Sequence, residues 1–457
     1  LICYKTRSFT NAQDDNYCLA KFILANLLHA NQNDLIYYKM NDTKENKRRV
    51  VITGLGVVAP SGIGKQEFWE NTIAGKSWTR KITRFDASQH PSQIAAEIDN
   101  FDPKKYMDPK QIRRTDLSTQ YAMGAAKLAL IDAKLNIKNE DPERIGLVIG
   151  IAVSGMDFAE KQFTNYRLNG LRGVSTFTTI AVFCCASVGQ ISIDLGIVGY
   201  NNVISTGCTA GTVAIGNAYT SIQQGIADII FAGGTEAPIA PLTMYSFCAI
   251  KALSTRNNEP EKASRPFDKE RDGFVMGEGS GIVIMEELEH AIKRNAHIYA
   301  EVIGYGTTCN AYHMTAPAPD GVQSARAMKI AMKNANIKPE NVDYIQAHGS
   351  STQLNEKTET LAIKKAFGEY AYKVPISGLK SMIGHSLGPA GAFQTITNCL
   401  IIEDNIIPPT INYEYPDPEC DLDYVPNKAR KKEVNIAMQN SSGFSGVNAV
   451  LLLKKYL

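Results

Sequence analysis

Cys208 stands in Ser205-Thr-Gly-Cys-Thr-Ala-Gly-Thr-Val-Ala-Ile-Gly216, where a β-branched run gives way to a helical pattern that stops near Gly225. A cysteine at a helix N-terminus has its thiolate favoured by the positive end of the macrodipole and by free backbone N–H groups. It can therefore act as a nucleophile, and it is expected to alkylate faster than the other eight cysteines. Gly207, Ala210 and Gly211 leave room for a substrate and for N–H groups to reach a thioester oxygen. His348, in Gln346-Ala-His-Gly-Ser-Ser-Thr352, and His385, in Lys380-Ser-Met-Ile-Gly-His-Ser-Leu-Gly388, also occupy Gly-flanked turns. Taken singly, each of the three competes with an inert core residue. Together they form a Cys/His/His set spread over several loops, the pattern of nucleophilic catalysis. No His or carboxylate stands at ligand spacing near them, so no metal is expected.

The elements that must position these residues follow from hydrophobic periodicity. Short β-branched runs, Val50–Thr53, Ile145–Ile149, Asp228–Phe231 and Gly281–Met285, alternate with longer helical stretches, which predicts an α/β fold. The rhythm repeats at Ile298–Ile303, Val342–Gln346 and Val450–Leu453, with helices over Gln323–Asn334 and Glu359–Phe367. Two similar halves are expected, residues 48–296 with the cysteine and 297–457 with the histidines, and a site between them at strand carboxyl ends. Residues 1–47, rich in Asn, Lys and Tyr, read as a leader or extension of weak transit-peptide character, since Asp14 and Asp15 are acidic.

Bulk composition excludes little but excludes it cleanly. With 48 Lys and Arg against 46 Asp and Glu, nothing asks for nucleic acid. Nine cysteines without C-x-x-C spacing fit neither a disulfide framework nor structural zinc. Apolar stretches end short of the roughly 18–20 residues a membrane span requires.

Several segments make the chain resemble one family. Arg48–Gly56, Ala252–Asn257, Arg265–Gly279, Ala311–Thr315, Ala347–Gly349, Lys380–His385 and Asn440–Asn448 are similar to the ketoacyl synthases of dissociated, type II fatty-acid synthesis, in the same order and over the whole chain from residue 48. The resemblance implies a thiolase-like fold, two α/β halves packed as a five-layer α-β-α-β-α core, a homodimer and a two-stage Claisen condensation. It implies that Cys208 carries the acyl group, that His348 and His385 hydrogen-bond the malonyl thioester oxygen, and that Lys380 organises the field near His348. The N–H groups of Cys208 and Phe444 would form the oxyanion hole. Thr315, Ser350 and Thr352 would hold the phosphopantetheine arm, which arrives on the acyl carrier protein, so no resident cofactor is expected. Met156 aligns with the acyl pocket, and Lys110, Arg113, Arg114, Lys251 and Arg256 with a docking patch for the acidic carrier. A plastid-like organelle, apicoplast or chloroplast stroma, is the expected compartment, with the cytoplasm as alternative.

The chain departs from the family at several places. Gly207 stands where Ala usually precedes the cysteine, and Ser442-Gly-Phe-Ser-Gly-Val-Asn448 keeps only the second aromatic of the usual closing loop, leaving Phe444 as gate. Ile383 replaces a usual Thr and Asn310 a usual Asp, and Phe183-Cys-Cys-Ala186 is unaccounted for. Two rival readings are a catalytically silent chain-length partner, which would lack the cysteine, and a ketosynthase domain of a polyketide synthase. A third begins from Gly54-Leu-Gly-Val-Val-Ala59, which imitates a dinucleotide fingerprint, but Pro60 would break the helix that must follow.

Overall fold

Val50–Ala59 is a ten-residue apolar run in which every residue is buried, the mark of a strand covered on both faces. The computed structural model describes residues 47–457, so the leader expected over 1–47 lies outside the described residues except for Lys47. Arg48–Leu457 forms one unit. Its large sheet contains β1 (Val50–Ala59), β2 (Ile145–Gly150), β3 (Asn201–Ile204), β4 (Ile229–Glu236), β5 (Gly279–Glu287), β6 (Ala300–Cys309), β7 (Tyr344–Gln346), β8 (Ile376–Ser377), β9 (Ile436–Ser442) and β10 (Val447–Lys454).

The strand order is β8-β7-β9-β10-β6-β1-β5-β4-β2-β3. Read outward from the centre, β1-β5-β4-β2-β3 and β6-β10-β9-β7-β8 have the same order in the chain and the same sense. In each, two antiparallel pairings are followed by two parallel ones. The halves meet where Val50–Ile52 pair with Ala300–Val302. The expected pair of similar α/β halves is therefore present.

Helices complete the layers. α1 (Leu117–Asp132) covers one outer face on β1, β4 and β5, and α3 (Val322–Asn334) covers the other on β6 and β10, with α4 (Gln353–Phe367) packed on α3. α2 (Ala210–Gln223) and α5 (Ala390–Asp404) pack on each other and between the two half-sheets. A helix in that middle layer has no solvent side, and Ala390–Ile402 of α5 is buried without a break. This is the five-layer α-β-α-β-α core. The dinucleotide-like glycines belong to it: a Cβ on Gly56 would lie 1.9 Å from the Ala125 carbonyl oxygen and one on Gly54 2.6 Å from that of Ala129. They let β1 and α1 touch backbone to backbone, and Ala59 still lies in the strand. Among the described residues no helix is long and apolar enough to cross a membrane.

Candidate active site

The chemistry gathers where strands end and the two middle-layer helices begin. β3 stops at Ile204, a tight turn over Gly207–Thr209 follows, and α2 starts at Ala210, which leaves Cys208 at the helix mouth with 9% of its surface exposed. Gly207 has φ +59, in the left-handed region where a Cβ is strained. Glycine at this departure from the family therefore relaxes the nucleophile turn. Gly207→Ala is expected to cost about 1–2 kcal/mol of stability, read as a lower unfolding midpoint, with the acyl-accepting cysteine retained.

The protonation state of Cys208 reverses the simple helix-terminus argument. A helix N-terminus favours an anion by about 0.3–1 kcal/mol, less than the ~1.4 kcal/mol of a single pKa step. Burial instead lifts the Cys208 thiol from 9.0 to about 11, against the charge of Lys380 and hydrogen bonds from the N–H groups of Phe444 and Cys208 itself. The resting group is a thiol. Fast alkylation is then no marker for it, because Cys184, Cys185 and Cys309 are exposed and meet a reagent first. Those two N–H groups already point toward the sulfur, beside which the carbonyl oxygen of an acyl group bonded to it would lie.

His348 follows β7, and His385 precedes α5 in the second half, the counterpart of the place Cys208 takes in the first. Their rings lie 5.3 Å apart at 84°. Burial first, then the charge of Lys380, holds both well below the usual imidazole range, so both are neutral. The Leu387 N–H donates to Nδ1 of His385 at 3.2 Å, which puts that ring's proton on Nε2 as a donor. Burial lowers Lys380 to about 8, and its ammonium donates to the His348 carbonyl oxygen. The Arg265–Gly279 motif frames both rings. His385 is bonded through its backbone to Val275 and Gly277, and the Arg271 guanidinium donates to the carbonyls of Thr352 and Gln353 at 3.0 Å.

Cys208, His348, His385, Thr315, Ser350, Thr352 and Phe444 line one chamber of about 70 Å³. That is space for about two waters. A vestibule of about 350 Å³ adjoins it, sharing Thr315, Pro317, Thr352 and Phe444 and adding Lys251, Asp272 and Gln353. Phe444 stands at the boundary, its ring 6.3 Å from that of Phe247. Its loop is strapped to residues 310–314: the Asn448 amide donates to Asn310 at 2.7 Å, the Asn310 N–H to Gly446, and the Ser445 N–H to Met314. Asn310, the departure from the usual Asp, is thus an uncharged acceptor in the strap.

Residues 47–291 match the N-terminal domain of the β-ketoacyl synthases and residues 299–414 match their C-terminal domain. The chain belongs to the β-ketoacyl synthase family. Among its relatives is a 3-oxoacyl-(acyl-carrier-protein) synthase 2 of Coxiella burnetii, 49% identical over 90% of this chain and 99% of that one. A second, of Synechocystis, is 46% identical over 90% and 99%. In structure it is similar to a type II polyketide ketosynthase solved in complex with its acyl-carrier protein, at 40% identity and a TM-score of 0.83 over 90% of this chain and 100% of that one. A β-ketoacyl synthase from Burkholderia phymatum gives 31% and 0.83, with coverage of 90% and 100%. As a β-ketoacyl synthase the chain is an acyltransferase that condenses acyl units, and the catalytically silent alternative is not favoured.

In this β-ketoacyl synthase some expected residues stand apart from the chamber. Lys380 acts from behind it, through the His348 carbonyl. Met156 opens the helix Met156–Asn169 and does not line the chamber, where Phe247, Phe274 and Leu387 form the apolar wall. Lys251 lines the vestibule, but Arg256 is paired with Glu270 at 3.1 Å. Lys110, Arg113 and Arg114 sit in and just after the short helix Pro109–Ile112, exposed, with Arg114 over the Phe177 ring at 4.6 Å. One functional residue had no sequence signal: Glu359 of α4, buried, accepts the N–H groups of His348 at 2.7 Å and Gly349 at 2.9 Å and the Asn440 amide at 2.6 Å. It fixes the backbone that carries His348 and ties it to β9, the strand leading to Phe444.

Proposed function

We propose that this synthase elongates fatty acids by decarboxylative condensation of malonyl-carrier protein with an acyl group held on Cys208. The observation that carries the reading is the convergence of one buried thiol, two neutral imidazoles and two aimed N–H groups on a single small chamber. Cys208 Sγ attacks the incoming acyl thioester. The tetrahedral oxyanion is held by the N–H groups of Cys208 and Phe444, and the carrier thiol leaves with the cysteine proton. The malonyl thioester then enters along Thr315, Ser350 and Thr352, the phosphopantetheine arm spanning the vestibule. As carbon dioxide departs, negative charge moves onto the thioester oxygen, where His348 and His385 donate. Neutral donors in a low-dielectric site suit a charge that exists only in the transition state and intermediate. The enolate carbon attacks the Cys208 thioester and the cysteine thiolate leaves. Offering malonyl-carrier protein with primers of graded length tests the proposal, with a β-ketoacyl product two carbons longer than each accepted primer expected.

Lys380 provides a pH signature. Its ammonium is present below about pH 8 and is lost as pH rises through that value. With it go the positive charge beside the two imidazoles and the charge-assisted character of the hydrogen bond to the His348 carbonyl. Decarboxylation of malonyl-carrier protein is expected to fall above about pH 8, and Lys380→Met to be slow and without that break.

A carrier protein of acidic surface is the proposed partner, approaching Lys251 at the vestibule, with Lys110, Arg113, Arg114 and Arg256 as further candidates. The homodimer is supported by β3, an outer strand with one open edge, and by exposed Ile180, Phe183, Ile193 and Val198 nearby in the chain. Sedimentation equilibrium is expected to return twice the chain mass, and Phe183→Glu to shift it toward the monomer. The plastid-like compartment rests on the composition of residues 1–47 alone, and detection of the protein in the cytosol would contradict it.

A further inference from the structure

The chamber beside Cys208 holds about two waters, yet an elongating enzyme must lodge a chain many methylenes long, so part of the wall has to move. The apolar cluster around Cys208 contains Met244, Leu253, Phe274, Met276 and Leu387, with Ala152 and Val153 packed against it. Most of these residues sit in strands, helices or turns whose backbone is bonded into the fold. Ala152 and Val153 do not. They lie in the link between β2, which ends at Gly150, and the helix that begins at Met156.

Two side chains hold that link. Glu236, at the carboxyl end of β4 and fully buried, accepts three successive N–H groups, from Ala152 at 2.6 Å, Val153 at 3.3 Å and Ser154 at 3.0 Å. Among the described residues these N–H groups have no other partner. From the other side the Ser154 hydroxyl reaches the carbonyls of Val182 and Phe183, at 3.2 Å each. Ser154 itself sits at φ +50, a left-handed conformation that persists in a non-glycine residue only when its surroundings impose it. Glu236 is also within reach of the His385 turn, since a Cβ on Gly388 would lie 2.9 Å from its carboxylate. The Gly388 carbonyl in turn accepts the Gly211 N–H at the start of the Cys208 helix. Burial raises the Glu236 carboxyl to about 8, against the three N–H groups that pull it down.

We propose that Glu236 is a positioning residue that latches the Ala152–Ser154 wall shut behind Cys208, and that release of this latch admits long acyl chains. The proposal rests on the acyl-carrying role of Cys208. A short chain fits in front of the closed wall, and a long one must displace Ala152 and Val153 and therefore break the Glu236 bonds. Weakening the latch selectively removes a cost borne by long primers.

The test compares kcat/KM for butanoyl- and tetradecanoyl-carrier protein in wild type, Glu236→Gln and Ser154→Ala. Glu236→Gln keeps the shape but replaces one of the two accepting oxygens with an amide nitrogen that cannot accept an N–H group, and Ser154→Ala removes the opposite tether without touching the buried carboxyl. Both are expected to raise the long-to-short ratio, about tenfold for Glu236→Gln and about threefold for Ser154→Ala, with butanoyl turnover within about twofold of wild type. A folded variant whose ratio is unchanged, or whose two primers lose activity equally, overturns the latch and leaves Glu236 a packing residue. If Glu236→Gln fails to fold, Ser154→Ala decides alone by the same criterion. A wild-type enzyme that condenses neither primer would instead remove the functional reading beneath the proposal.

Discussion

Cys208→Ala is expected to abolish elongation while leaving decarboxylation of the malonyl unit standing. Among the described residues Cys208 is the cysteine that lines the chamber, and two backbone N–H groups converge on its sulfur. Loss of a nucleophile in a covalent mechanism costs at least about 10³-fold. Decarboxylation depends on different atoms, since charge from the departing carboxylate settles on an oxygen facing His348 and His385, and neither ring is held in place by the cysteine. Mass spectrometry of the enzyme after exposure to acyl-carrier protein, beside carbon dioxide release from malonyl-carrier protein, reads the two halves separately. Elongation by the Ala variant would contradict the assignment.

His385→Ala is expected to do the converse. Removing one preorganised donor from a developing oxyanion costs about 10²–10³-fold. His385 is a well-defined donor, because the Leu387 N–H occupies Nδ1 and leaves the proton on Nε2. Transfer of the acyl group onto Cys208 uses the backbone N–H groups and should stay within about threefold of wild type, so the acylated enzyme accumulates and malonyl decarboxylation stalls. Equal loss of both half-reactions would mean that His385 serves the cysteine and not the enolate.

The contrast between these variants follows from what was legible in the sequence. Cys208, His348 and His385 could be picked out because turns carry local signals: glycines beside a reactive side chain at the end of a β-branched run. The alternation of short and long segments was enough for an α/β fold in two similar halves. The protonation of Cys208 was not legible. The local setting argues for a thiolate, and only the distant walls from Phe247, Phe274 and Leu387 exclude enough water to reverse it. Glu359 was equally hidden, since its partners outside its own helix lie 10 to 81 residues away in the chain and its helix reads as an ordinary amphipathic one. β9 escaped the pattern because Gln439, Asn440 and Ser441 are buried in a hydrogen-bonded network, which breaks the apolar period a core strand usually displays. Met156 opens a helix and does not line the chamber, whereas Ala152 and Val153, in the link before it, pack against the apolar cluster that contains Cys208.

The central claim is that Cys208 carries the growing chain through a condensation. The most direct measurement is a single-turnover experiment in which the protein is first incubated with acyl-carrier protein, freed of it, and then given malonyl-carrier protein. The account expects the acyl mass on the peptide containing Cys208 before the second addition, and its disappearance in step with a β-ketoacyl product on the carrier. An acyl mass on another residue, or product formed while the Cys208 adduct remains, would contradict it.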